Sequence, residues 1–222
     1  MTPDELTRWR RAERRRLLAA REALGADALE RARLRIETHL ERAFPGLASA
    51  RLAFCWPVRG EYDARPLVQA LRGRGAVTAL PVVAAPGRPL EFRAWHPGIP
   101  LAAGPLGIPY PEASETIVPT VILVPMIGWD AAGHRLGYGG GYFDRTLAAL
   151  DPRPTSIGVG YELSRIATIH PQPWDIPMDW VVTERGVYRR DGDALAFLGA
   201  PQATTPGAVA SPVCYADEID PS

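Results

Sequence analysis

HRLGYGGGYFDR, residues 134–145, sets a run of glycines behind an arginine and ahead of an aspartate. TVILVP, residues 120–125, precedes it as an apolar, β-branched run of strand length, and helical spacing resumes after it through residue 150. The order is strand, loop, glycine turn, helix. Gly137, Gly139, Gly140 and Gly141 admit backbone angles closed to other residues and let amide N–H groups approach a ligand with no Cβ in the way. A helix beginning near Gly141 adds its free N–H groups and the positive end of its dipole, so the segment suits an anion such as phosphate. Asp144 falls in the first turn, where a carboxylate also serves as an ordinary helix-start residue worth about 0.3–1 kcal/mol. The segment lacks the GK[ST] ending of a P-loop, and Tyr142 stands where a GxGxxG dinucleotide loop needs its last glycine. Neither a standard NTPase nor a nicotinamide enzyme is indicated.

Working outward, Thr2-Pro3-Asp4-Glu5 opens a first helix to about residue 24, on an apolar stripe of Leu6, Trp9, Leu17 and Leu24. Gly25-Ala26-Asp27 breaks it, and residues 28–43 read as a second helix ending at Phe44-Pro45-Gly46. Strands are expected over 52–55, 77–83, 90–95, 121–124, 156–159 and 180–183, with helices near 65–72 and 141–150. This alternation predicts an α/β fold: a three-layer, open, mostly parallel sheet of Rossmann-like type, with helices on both faces after an N-terminal helical pair. Ligands of such sheets bind outside the carboxyl ends of the strands, where residues 56–63, residues 126–141, and Tyr161 with Glu162 can meet. The long proline-rich stretch 97–119 reads as a functional loop. Periodicity fades from Asp191, so one domain over 1–190 and a disordered tail over 191–222 are expected.

At 222 residues the chain can bury one substantial core. Its 25 basic and 25 acidic side chains balance, leaving no net field to draw it to nucleic acid or an anionic membrane. Every basic side chain is arginine, which excludes a Schiff-base or P-loop lysine. Cys55 sits in an apolar run expected in the core, and Cys214 sits near the C-terminus, so a reducing compartment is expected without a structural disulfide. His39, His96, His134 and His170 have no metal-site spacing. With no signal peptide or membrane-spanning window either, a cytoplasmic location is expected.

Residues 135–144 also resemble the RLGxGxGYYD motif of the 5-formyltetrahydrofolate cyclo-ligases, or methenyltetrahydrofolate synthetases, with Phe143 in place of the second tyrosine. PWDIPMDWVVTE at 173–184 resembles the family's downstream aspartate before an apolar strand and points to Asp175. WPVRGEYD at 56–63 resembles its first folate-binding segment, with Glu61 at the glutamate position. GIPYPE at 107–112 resembles its GIPEP turn, with Tyr110 departing from the usual glutamate. The resemblance covers most of residues 6–189.

It implies phosphorylation of the formyl oxygen of 5-formyltetrahydrofolate by ATP, attack by N10, and release of phosphate to give 5,10-methenyltetrahydrofolate. It assigns ATP to Arg135, Leu136, Gly137, Tyr138, Gly139, Gly140, Gly141, Tyr142 and Phe143, and to an N-terminal basic pair spaced K-x-x-x-R. Arg10 with Arg14 and Arg11 with Arg15 both fit that spacing. Arg135 either bridges phosphates or pairs with an acid beside the loop. Mg²⁺ is assigned to Asp144 and Asp175. Glu61 is assigned to the pterin's N–H edge, and Trp56 either stacks on the pterin or packs in the core. Tyr110 and Leu106 are expected at the folate pocket. A catalytically silent nucleotide- or folate-binding module, and an enzyme for another N-formyl compound, are the alternatives.

Overall fold

The computed structural model describes residues 1–104 and 107–200. Helix α1 (Pro3–Glu22) is opened by a reciprocal cap: Glu5 N–H donates to Thr2 Oγ1 at 3.3 Å and Thr2 N–H to Glu5 Oε2 at 2.7 Å. Helix α2 (Ala26–Ala43) follows. The chain then enters β1 (Arg51–Ala53), α3 (Arg65–Gly73), β2 (Val77–Val82) and β3 (Glu91–Ala94). A small hairpin, β4 (Leu101–Ala103) and β5 (Pro109–Pro111), leads to β6 (Val121–Pro125). Next come the hairpin β7 (Gly128–Trp129) and β8 (Arg135–Leu136), helix α4 (Tyr142–Ala149) and strand β9 (Thr155–Val159). Strands β10 (Trp180–Val182), β11 (Val187–Asp191) and β12 (Ala194–Gly199) complete the described chain.

One eight-stranded sheet organises the molecule in the order β12-β11-β10-β9-β6-β1-β2-β3. The five strands from β10 to β2 run parallel, and β3, β11 and β12 are antiparallel additions at its two edges. Central strands must bury both faces, which is why β6 and β9 read VILVP and TSIGV instead of alternating. Ile36 and Leu40 of α2, with Leu67 and Leu71 of α3, pack on Leu52, Leu80, Leu123 and Ile157. Leu147 of α4 packs on the other face with Ala79, Ile122, Val124 and Val181. The three-layer, mostly parallel α/β fold with its N-terminal helical pair is therefore present.

In chain order the parallel strands lie 2-1-3-4-5, so the sheet reverses direction between β1 and β6. The crevice above their carboxyl ends is where ligands bind in doubly wound sheets. Leu17 and Leu18 of α1 pack there with Ile127, Leu136 and Ile169. A Cβ on Gly128 would lie 2.6 Å from Leu17 Cδ1, so glycine lets the helix come this close.

The boundary expected at residue 191 falls inside a hairpin. β11 buries Val187 and Tyr188, and β12 pairs with it along its length. The apolar alternation of β12 is weak because an edge strand on a sheet end has little to bury, so no periodicity marks it in sequence. Residues 201–222, with Cys214, lie outside the described residues.

Candidate active site

Arg10, Arg14, Leu17 and Arg21 recur at helical spacing and form one face of α1 turned to the crevice. Arg10 donates to the carbonyls of Ile169 at 3.2 Å and His170 at 2.9 Å, and its Nη2 meets Asp175 Oδ2 at 2.6 Å. Arg14 Nε donates to the Gly137 carbonyl at 2.6 Å. Arg11 and Arg15 are exposed and lie outside this cluster, to which Arg10 and Arg14 belong.

The glycine run bends through left-handed backbone at Gly139, with φ of 97°, and at Gly141, with φ of 63°, where Gly141 caps α4. Gly140 has a different need: a Cβ there would lie 2.8 Å from the Tyr142 ring. Leu136 is buried beneath α1, and Phe143 packs, partly buried, against the α4-side core.

Arg135 adopts the acid-pairing arrangement. Its side chain is 5 % exposed, with Nη1 donating to the Ile176 carbonyl at 3.0 Å and Nη2 3.0 Å from Asp144 Oδ1. Burial pushes its pKa down, opposed by Asp144 and Asp175. Arg135 thus pairs with the acid beside the loop, one of the two arrangements expected for it. Asp144 Oδ1 also accepts the Ile176 N–H at 3.0 Å, and Asp175 Oδ2 accepts the Gln172 N–H at 2.7 Å. The other oxygen of each carboxylate has no hydrogen bond from the described residues. No group of three or more His, Cys, Asp or Glu forms a metal cage among the described residues. Two part-satisfied carboxylates suit a hard cation that takes its remaining ligands from phosphate and water, which fits Mg²⁺.

On the β1 side, Glu61 is buried. Its Oε2 accepts the Val58 N–H at 3.1 Å, and its Oε1 accepts the Tyr138 hydroxyl at 3.0 Å and lies 3.9 Å from Arg21 Nη2. Burial pushes the Glu61 pKa up, opposed by the Val58 N–H, the Arg21 charge and the Tyr138 hydroxyl. Tyr138, in the glycine loop, is pushed up to about 12, first by burial and then by the Glu61 charge. Arg21 also donates to the carbonyls of Arg59 at 2.9 Å and Met126 at 3.3 Å, tying α1 to the segments that follow β1 and β6.

Other expected residues lie elsewhere. Trp56 is half-buried against the core, and the Arg65 guanidinium already covers its ring at 4.7 Å, which favours packing over a free stacking face. Tyr110 packs beside Gly104 and Arg93. Leu106 lies outside the described residues. Glu162 turns to Tyr188 and Thr183 at the far side of β9. Sequence reasoning overlooked Arg21 and Arg145, although Arg21 repeats the 10, 14, 17 spacing that marks the inward face. It also overlooked that Tyr138 reaches across to Glu61.

The 5-formyltetrahydrofolate cyclo-ligase family model matches residues 6–184. The 5-formyltetrahydrofolate cyclo-ligase of Escherichia coli K12 is 32 % identical over 137 residues, covering 58 % of this chain and 75 % of that protein. The enzyme of that name from Mycolicibacterium smegmatis is 34 % identical over 141 residues, covering 59 % and 72 %. The solution structure of Aquifex aeolicus 5,10-methenyltetrahydrofolate synthetase superposes with a TM-score of 0.72 at 28 % identity, covering 85 % of this chain and 97 % of that one. Arginine face, glycine run and buried glutamate occupy the matched span, and the chain belongs to the 5-formyltetrahydrofolate cyclo-ligase family.

Proposed function

We propose that this chain is an enzyme that converts 5-formyltetrahydrofolate and ATP to 5,10-methenyltetrahydrofolate, ADP and phosphate. The observation that carries the reading is the hydrogen bond from Tyr138 to Glu61, because it joins the loop suited to phosphate to the carboxylate suited to a pterin edge. An enzyme that phosphorylates a pterin-borne formyl group needs those two subsites side by side.

In this reading the amides of residues 137–141 and the Arg14 guanidinium receive the ATP phosphates. Arg10 orients Asp175, and Arg135 orients Asp144. Those two aspartates would hold Mg²⁺, which when bound neutralises charge on the phosphates. Glu61 accepts the amino and ring N–H groups of the pterin. The formyl oxygen attacks the γ-phosphorus and ADP leaves. N10 then attacks the formyl carbon and loses its proton. The C–O bond breaks, phosphate departs, and the N5–C–N10 amidinium remains. No nucleophilic side chain is needed, since positioning and charge neutralisation carry phosphoryl transfer.

No helix of the described residues is long and apolar enough to cross a membrane. A cytoplasmic setting is part of this proposal, and Cys55 has no disulfide partner among the described residues. The test is the appearance of methenyl-folate absorbance with purified protein, 5-formyltetrahydrofolate, Mg²⁺ and ATP. Signal that requires ATP is expected. ATP turnover only with a different N-formyl compound, or no turnover at all, would overturn the reading.

A further inference from the structure

Four guanidinium groups gather at the glycine run and the two aspartates, and two of them are already neutralised. Arg10 is paired with Asp175, and Arg135 with Asp144. Arg14 and Arg145 make no ion pair among the described residues, and their hydrogen bonds go to carbonyl oxygens. Arg14 Nε donates to Gly137, and Arg145 Nη2 donates to Gly140 at 2.5 Å. Both lie against the loop: a Cβ on Gly139 would be 3.4 Å from the Arg14 guanidinium, and one on Gly141 would be 3.0 Å from Arg145 Nη1.

Arg145 belongs to α4, not to α1, so it approaches from a different element than Arg14 does. Its plane is held by the Tyr142 ring, 5.1 Å from the guanidinium carbon. Its Nε is buried without a partner, and a single carbonyl leaves most of its five N–H donors unused. A carbonyl oxygen satisfies a donor but does not cancel a charge. Two guanidinium groups with no ion-pair partner among the described residues leave positive charge at one glycine turn for an anion to meet. Burial and the Arg10 charge push the Arg14 pKa down, opposed by the Asp175 charge.

We propose that Arg145 is a phosphate-binding residue of the glycine loop, closing on the ATP polyphosphate from the α4 side while Arg14 closes from the α1 side. This rests on the reading of the loop as the ATP site. A planar guanidinium held by a ring and one carbonyl can offer adjacent N–H groups to phosphate oxygens, which an ammonium would not do in the same way.

The experiment is calorimetric titration of ATP and of AMP, on the full chain and on Arg145→Gln and Arg145→Lys. Glutamine keeps a side-chain N–H donor for the Gly140 carbonyl but has no charge, so it preserves a supporting role and removes a phosphate-binding one. Arg145→Gln is expected to weaken ATP binding by roughly tenfold to a hundredfold. AMP affinity, which lacks the β- and γ-phosphates, should hold, as should the KM for 5-formyltetrahydrofolate. Arg145→Lys should recover part of the loss. Unchanged ATP affinity in Arg145→Gln, or equal losses for ATP and AMP, would overturn the proposal and leave Arg145 a brace for the turn. If the unsubstituted chain binds ATP yet forms no methenyl-folate, the proposed activity fails while the titrations still decide Arg145. If it binds no ATP, both fail.

Discussion

Asp144 takes two donors on one oxygen and keeps the other free, which is more than a helix-start carboxylate needs. Asp144→Asn is expected to lower turnover by orders of magnitude, because the amide keeps the shape and loses the charge. It also strips the buried Arg135 of its counter-charge, and breaking a buried pair costs about 3–5 kcal/mol. Turnover is therefore to be compared at a temperature where circular dichroism shows the variant folded. Near-normal turnover there would reduce Asp144 to a structural role. Glu61 gives a pH prediction. Burial raises its pKa, so the fold favours the protonated acid, and that contribution to stability is full at acidic pH and lost as pH rises past the ordinary carboxylate range. Pterin binding needs the carboxylate, so kcat/KM for 5-formyltetrahydrofolate should fall on acidification, starting at a higher pH than for an exposed glutamate. Glu61→Gln should raise the folate KM by up to roughly a hundredfold, leave the ATP KM little changed, and abolish that acid limb. An acid limb that persists in Glu61→Gln belongs to another group. The family resemblance singled out Glu61, Asp144 and Asp175, and the fold gives Glu61 a buried setting and each aspartate an arginine partner. Whether Arg135 faced an acid or a phosphate was not legible, because burial and partner choice are set by the Ile176 backbone more than forty residues along the chain.

At the scale of elements, α1 carries Arg10, Arg14 and Arg21 to both halves of the site, and its grip on the sheet is apolar. Leu17 is 1 % exposed, and Leu→Ala at such positions typically costs about 2–5 kcal/mol. Leu17→Ala should loosen the helix as a unit and so raise the KM for ATP and for 5-formyltetrahydrofolate together. Arg14→Met, by contrast, should raise the ATP KM alone. Steady-state kinetics on the two variants separates these patterns, and a Leu17→Ala change confined to one substrate would mean that α1 serves only one subsite. Long periodic elements were readable: the four helices and the central strands lie close to where spacing put them. The two-strand hairpins β4–β5 and β7–β8 were not, since two or three residues per strand carry no period, and their pairing depends on what they face. Arg21 escaped notice because an arginine on an inward stripe contradicts the apolar pattern by which that stripe is recognised.

At the scale of the molecule, the strand order puts the proposed site and closure of the core at different places in one sheet. The site sits at the β1 and β6 reversal, whereas β11 is separated from β6 by β9 and β10. The α/β class followed from the alternation of strand and helix, but the order of strands did not, because order depends on which edge each returning segment joins. The match to the family ends at residue 184, yet the core continues beyond it: Val187 and Tyr188 are 1 % and 2 % exposed, and the Tyr188 ring lies 5.0 Å from that of Trp129. Tyr188 also donates its hydroxyl to Glu162 at 2.9 Å, a part-buried hydrogen bond to a carboxylate worth about 1.5–3 kcal/mol. Its ring fills core volume, and truncating a buried aromatic to alanine costs about 3–5 kcal/mol. Tyr188→Ala should therefore lower the melting temperature more than Tyr188→Phe, which loses the hydroxyl bond but keeps the ring. Both should retain unsubstituted KM values for ATP and 5-formyltetrahydrofolate when assayed below their melting transitions. If Tyr188→Ala instead altered either KM in the folded state, the hairpin would be coupled to the crevice and the separation argued from strand order would be wrong.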